Sequence, residues 1–269
     1  MPETLELNAL PKNYLSFTQI AMFLRCPRQY AYRYIEGLKM PPNGNLILGK
    51  GAHRGLEWGY SEQIAQGQHP ETSKIKESTA EFIHQEINAA KNEGEIEWSE
   101  NDNAGKIVDD GVTLVEKYDN EVGRHLTAKS VEEKFEVAFT NVEYKMSGRM
   151  DLTTTNGRLI DFKTARKSPP ENEAEASEQL TAYQIALGDK PKSLEIHGLI
   201  RKKTPEIVVR IAPARPQSRI NDFLENFGKV ATLIKTGLFP KVLENAPGSP
   251  CSWCGYYEKC RGKRRPERA

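Results

Sequence analysis

The chain has 269 residues, 28% of them charged and 38% hydrophobic, with a formal net charge of +1. That composition suits a globular protein with a substantial core and excludes a disordered chain. The sequence shows no repeat, no signal-peptide pattern and no long apolar run, so a cytoplasmic protein without membrane spans is expected.

In chain order, Ser16-x2-Gln19 forms a capping box ahead of a helix that reaches Cys26, and Pro27 starts a second helix running through Tyr30, Tyr32 and Tyr34 to Gly37. Gly44–Gly51 has the G-x4-G-K spacing of a phosphate-binding loop, but Gly51 replaces the Ser or Thr that would bind Mg2+ and no strand precedes it. It reads instead as the beginning of a helix carrying His53, and no ATPase is expected. A helical insertion follows over 72–122, broken near Gly94 and Gly105. Strands are predicted at 131–140, 144–154 and 158–163, then a proline-bounded acidic loop at 168–176 and a helix bearing Gln179. Strands at 193–201 and 206–212 and a helix over 218–235 complete the pattern, an α/β sheet flanked by helices.

Charge along this pattern is polarised. Residues 71–121 are rich in acids, whereas Arg166-Lys167, Arg201-Lys202-Lys203 and the run 261–265 are basic. Such patches would meet a phosphate backbone, although for the C-terminal run a solvated terminus is an equal reading.

The most informative stretch is Gly148-Arg149-Met150-Asp151, nine residues, then Asp161-Phe162-Lys163. Opposed residues of an antiparallel pair share a face, so the turn decides which side chains meet. A two-residue Asn156-Gly157 loop would set Asp151 against Phe162; a three-residue loop, Thr155-Asn156-Gly157, sets it against Asp161. The second gathers the acids, and places Lys163 on the same face. Leu152, Leu159, Ile160 and Phe162 make the hairpin half-buried, and two adjacent buried acids call for a neutralising cation. Taken alone, His53 beside Leu56 and Trp58 reads as a packed helical residue. Gln179 and Tyr183, four apart, share a helix face.

The only four cysteines are Cys26 and Cys251-x2-Cys254-x5-Cys260. In a reducing compartment metal ligation is expected over disulfides, and soft thiolates select zinc or an iron–sulfur cluster. The spacing fits zinc ribbons poorly and leaves both metals open.

Taken in order, Gly49-Lys50-Gly51-Ala52-His53, Gly148-Arg149-Met150-Asp151, Asp161-Phe162-Lys163 and Gln179-x3-Tyr183 resemble the motifs of the PD-(D/E)XK nuclease superfamily. The likeness is to its RecB-like branch, which includes CRISPR-associated RecB-like exonucleases and the AddB nuclease domain. One cysteine before the motifs and three after them match the iron–sulfur members. The resemblance spans Cys26 to Cys260 and departs only in having Asp161 where many relatives have Glu.

The resemblance implies a restriction-endonuclease-like α/β fold with a central mixed sheet flanked by helices. It implies one nuclease unit over 1–269 with a core at 131–235, the helical insertion at 72–122, and an iron–sulfur lobe in which 15–40 and 240–262 join the termini. His53, Asp151, Asp161 and the Phe162 carbonyl would hold Mg2+ or Mn2+. Lys163 would act on the attacking water, with Gln179 and Tyr183 beside it, and Cys26, Cys251, Cys254 and Cys260 would bind a [4Fe-4S] cluster. Arg166, Lys167, Arg201, Lys202 and Lys203 are the candidate contacts to nucleic acid. The implied activity is a metal-dependent DNA exonuclease on single-stranded ends, 5′ to 3′, in DNA repair, recombination or mobile-element and CRISPR DNA processing. DNA, DNA-processing proteins and further copies of the chain are the implied partners. The alternatives are an endonuclease or duplex-end recombination nuclease, and a non-catalytic subunit of a DNA-processing assembly; the set His53, Asp151, Asp161, Lys163 and Gln179 argues against the last.

Overall fold

A computed structural model of the chain describes residues 13–140 and 142–264, so Arg265 of the basic run lies outside the described residues. In chain order the elements are β1 (Tyr14–Ser16), α1 (Phe17–Arg25), α2 (Pro27–Tyr30), α3 (Gly44–Gln66), α4 (Thr72–Glu93) and α5 (Ala104–Glu121). Then come β2 (Ala128–Phe139), β3 (Val142–Thr154), β4 (Arg158–Ala165), α6 (Glu173–Ala176), α7 (Glu178–Leu187), β5 (Ser193–Ile200), β6 (Glu206–Ala212), α8 (Gln217–Lys235) and α9 (Tyr257–Arg261). No helix among the described residues is long and apolar enough to cross a membrane.

The chain divides into two compact units, one of Met1–Met40, Glu136–Gly148 and Gln217–Ala269, the other of Pro41–Phe135 and Arg149–Pro216. The single unit expected over 1–269 divides here: residues 15–40 and 240–262, expected as an iron–sulfur lobe, fall in the first part, and α8, expected in the nuclease core, goes with them. Strands β2 and β3 contribute residues to both units, so no linker marks the division.

In the first unit, Ser16 caps α1 by accepting from the Gln19 N–H while Gln19 Oε1 accepts from the Ser16 N–H at 2.7 Å. The helix predicted through Tyr34 changes character: after α2 the residues Ala31–Ile35 form a π-helical turn. Strand β1 runs parallel to the first part of β3, Leu15 opposite Met146.

The second unit holds a mixed sheet flanked by helices. Here β3 pairs antiparallel with β4, β4 parallel with β5, and β5 antiparallel with β6. As the central strand, β4 buries Leu159, Ile160, Asp161 and Phe162 almost completely. Ile160 and Phe162 join the core built with α3, α4 and α5, while Leu159 packs with Leu180 and Tyr183 of α7. Because side chains alternate, Asp161 and Lys163 lie on the Leu159 side of the strand.

Helix α3 explains the false phosphate-loop motif. Asn43 caps it, accepting from the Leu46 N–H at 2.9 Å, and Gly44–Gly51 form its first two turns. The glycines serve packing: a Cβ at Gly51 would lie 2.2 Å from Ile83 Cγ1, and one at Gly55 2.0 Å from Thr79 Oγ1. Their absence of a side chain is what lets α3 and α4 approach this closely.

Candidate active site

The β3–β4 turn is the three-residue form. Leu152 lies opposite Ile160 and Thr153 opposite Leu159, so the next pair in register is Asp151 with Asp161. Gly157 supplies the left-handed residue, φ 82°. Asp151 is fixed by the Phe162 N–H, which donates to its Oδ2 at 2.8 Å. Asp161 is wholly buried, and neither of its carboxylate oxygens has a hydrogen bond of good geometry, although Lys163 Nζ lies 2.8 Å from Oδ2.

Helix α3 brings in the imidazole. A Cβ at Gly49 would fall 2.7 Å from Thr164 Oγ1, so the helix lies close against β4. One turn further on, His53 Nδ1 sits 3.7 Å from Asp151 Oδ2 and 3.8 Å from Glu132 Oε1. From α7, which Ser177 caps, Gln179 Oε1 accepts from Lys163 Nζ at 2.8 Å and Gln179 Nε2 donates to the Tyr183 hydroxyl at 2.6 Å. Asp161, Lys163, Gln179 and Tyr183 thus form one chain of contacts. His53, Asp151, Asp161, Phe162, Lys163 and Gln179 all line one cleft of about 620 Å3.

Glu132 is the residue the sequence reading missed. Its carboxylate, His53 and Asp151 offer ligand atoms all within 4.8 Å of one another, a group that could hold a metal ion. Arg149 steadies it at 3.2 Å, and its backbone has φ 47°, the one non-glycine with positive φ among the described residues. In the pattern Val131-Glu132-Glu133-Lys134 nothing distinguishes this acid from its neighbour. The local backbone twist that aims it is invisible to strand periodicity.

Electrostatics follow from burial. Burial pushes the Asp151 carboxyl up to about 7, the Asp161 charge adding to the effect and His53 and the Phe162 N–H opposing it. For His53 burial acts downward, but Glu132, Asp151 and Asp161 outweigh it and the imidazole is raised. For Lys163 burial likewise opposes, and Asp161 beside it holds the ammonium above its ordinary value. Hard carboxylate oxygens plus an imidazole, with Asp161 lacking directed partners, are a donor set that fits a divalent cation such as Mg2+ or Mn2+.

A consequence is measurable. A cation must displace the Asp151 proton and the proton of the raised His53 imidazole, so Mn2+ affinity, read by calorimetry, is expected to weaken by about tenfold or more per pH unit below about 7. Affinity independent of pH between about 5 and 7 would contradict this assignment. The metal-free fold should lose stability as pH rises from about 4 to about 7, because the unfolded chain gives up that proton first.

The basic candidates fare unevenly. Arg201 is buried in an ion-pair cluster, 2.6 Å from both Asp102 and Asp110, so it is not placed to meet a phosphate. Arg166 pairs with Asp102 at 2.7 Å, and Lys202 binds Glu206 and Ser168. Lys167 and Lys203 are exposed.

In the first unit, Cys26, Cys251, Cys254 and Cys260 line one small cavity, together with Tyr32, Tyr257 and Arg261, and none is in a disulfide. Cys251 Sγ accepts from Arg261 Nη2 at 3.3 Å, and burial raises the Cys254 thiol, with the other three cysteines adding to the effect. Four thiols around one cavity fit a thiolate-bound metal centre.

Paired buried acids with a lysine two residues on, displayed on a mixed α/β sheet, are the arrangement that the sequence resemblance implies for a nuclease. The family model for the PD-(D/E)XK nuclease superfamily matches residues 14–261, and the chain belongs to that superfamily, whose members are metal-dependent hydrolases. Its fold is similar to that of a protein from Eubacterium rectale described as "Putative exonuclease", at a TM-score of 0.57 and 11% identity over 99% of this chain and 96% of the other. SSO0001 aligns at a TM-score of 0.39 and 15% identity over 96% and 90% of the two chains, too distant to carry an argument. No curated protein sequence matches the chain.

Proposed function

We propose that the protein is a metal-dependent DNA exonuclease of the RecB-like branch, acting on single-stranded ends with 5′-to-3′ polarity, and that its four cysteines hold a [4Fe-4S] cluster. The observation that carries the reading is the opposed, buried pair Asp151 and Asp161, with Lys163 Nζ 2.8 Å from Asp161. His53, Asp151, Asp161 and the Phe162 carbonyl would hold the divalent ion, with Glu132 within reach of the same group. The chemistry such an ion supplies is polarisation of the scissile phosphate and acidification of an attacking water.

The remaining work falls to the chain's own side chains. Lys163 directs a fixed positive charge at the phosphorane, where charge develops. Gln179 holds that ammonium at 2.8 Å and is itself held by Tyr183, so the charge is preorganised. The cluster would clamp two segments of chain some 225 residues apart, Cys26 and Cys251–Cys260. Such an activity suits DNA repair, recombination or the processing of mobile-element DNA.

End-labelled linear and closed circular single-stranded DNA, each incubated with the purified protein and Mn2+, test the reading. Cleavage of the linear strand from its 5′ end with the circle left intact is expected. Cutting of the circle would replace the exonuclease by the endonuclease reading.

A further inference from the structure

We propose that the cysteine-bearing unit carries a single-stranded nucleic-acid grip, in which Trp253, backed by Arg25, stacks against an unpaired base while Lys259 and Lys263 of the same unit meet phosphates of the strand. This rests on the nuclease reading above and names the surface by which the strand is held.

Residues 13–40 and 241–264 contain nine lysines and arginines against three acids, Glu36, Glu244 and Glu258. Two of the acids are already met: Glu36 lies 3.5 Å from Arg28 and 3.8 Å from Lys259, and Glu244 lies 3.0 Å from Lys263 and 3.8 Å from Arg261. Lys259 and Lys263 are 53% and 58% exposed, so theirs are solvated surface pairs that a phosphate can displace, unlike that of Arg201, whose side chain is 9% exposed between two acids. The other unit, Pro41–Phe135 with Arg149–Pro216, carries an excess of acids, and one of its basic candidates, Arg201, is held in ion pairs. Net positive charge thus lies with these cysteine-bearing segments rather than with the other unit.

Geometry then singles out Trp253. Phe23, Tyr30, Tyr32, Phe239, Tyr256 and Tyr257 of this unit are buried, whereas Trp253 is 45% exposed. It ends the short turn Pro250–Trp253, between Cys251 and Cys254, so its backbone is held on both sides by residues of the cysteine cavity. The Arg25 guanidinium sits 4.9 Å from the ring centroid and is fixed in turn by its Nε donating to Gln29 Oε1 at 3.1 Å. An exposed planar ring, backed by a fixed cation and set in a unit of surplus positive charge, is what a base and its phosphates require, and an unpaired base has the free face that a duplex hides.

The test uses the full chain in EDTA, so that no cleavage intervenes, with a fluorescein-labelled oligothymidylate as probe. Binding is read by anisotropy across a salt series and by quenching of tryptophan emission. Trp253→Ala is expected to weaken binding by between about 5- and 100-fold with the salt slope unchanged, and Trp253→Phe to retain most of the affinity. The pair Lys259→Gln and Lys263→Gln should flatten the log–log salt slope by about 0.7 for each phosphate no longer neutralised. Unfolding midpoints show which variants fold, and Trp253→Phe and the lysine pair keep the test open if Trp253→Ala does not. Wild-type affinity and slope in all the folded variants would overturn the proposal, as would binding to phosphatidylserine vesicles without binding to the oligothymidylate. If Trp253 governs binding but added Mn2+ leaves the strand uncut, the grip stands and the nuclease reading falls. If the strand is cut and the variants bind as wild type, the grip falls and the nuclease reading stands.

Discussion

Replacing Asp161 by alanine is expected to abolish DNA cleavage, by a factor on the order of 10^3 or more, while leaving the metal-free protein at least as stable as before. Both halves of that expectation come from the same geometry. Asp161 is fully buried next to Asp151, and neither of its oxygens has a well-directed hydrogen bond, so removing it relieves repulsion; the 2.8 Å ion pair it loses is with Lys163, whose side chain is 44% exposed and keeps access to water. The same carboxylate is one of the hard donors that a divalent ion needs, so the reaction loses its electrophile. Asp151→Ala should also abolish cleavage, with some loss of order because the Phe162 N–H loses its acceptor. Lys163→Ala should cost on the order of 10^2-fold through removal of a charge aimed at the transition state. The informative readout is the pairing of turnover with unfolding midpoint. A merely structural Asp161 would lower the midpoint and spare turnover in the folded fraction, the opposite of the expected pattern.

The second large effect concerns the cysteines. Protein prepared without oxygen is expected to be brown, to absorb near ~400 nm and to carry about four irons per chain, and Cys251→Ser should lose the colour and the iron together. Cys26 and Cys251 are some 225 residues apart, and closing a loop of that length removes unfolded-state entropy worth on the order of 5 kcal/mol for a covalent cross-link. The variant should therefore unfold well below the parent, and the loss should appear first in the unit holding α1, α8 and α9. Because Asp151, Asp161 and Lys163 lie in the other unit, circular dichroism of its sheet should persist after the colour is gone. A colourless protein containing one zinc, from iron-replete anaerobic growth, would overturn the cluster and leave a zinc centre in its place.

Much of the site could be read from the sequence because a single turn governs it. With Thr155-Asn156-Gly157 as loop, strand pairing leaves Asp151 no partner but Asp161, and the register between Leu152 and Ile160 bears this out. The Gln179 and Tyr183 pair was likewise local, four residues apart on one helix, and the structure joins the two side chains at 2.6 Å. Glu132 was not legible, because its approach depends on an unusual backbone angle within β2 and on an imidazole nearly eighty residues earlier. Arg201 was misplaced for a related reason. A string of basic residues reveals charge but not partners, and its partners Asp102 and Asp110 come from the helical insertion about a hundred residues upstream. The sequence set 15–40 and 240–262 apart as a lobe, but that α8 and residues 136–148 go with them was not legible, since strands β2 and β3 pass through the division and no change of composition marks the boundary.

Metal removal and return test the central claim most directly. The wild-type chain, dialysed against EDTA, should leave end-labelled single-stranded DNA intact, and Mn2+ or Mg2+ added back should restore cleavage in the wild type but not in Asp161→Ala. Cleavage that persists in EDTA, or that Asp161→Ala performs at the wild-type rate once Mn2+ is returned, would contradict the assignment of this cleft as a metal-dependent nuclease site.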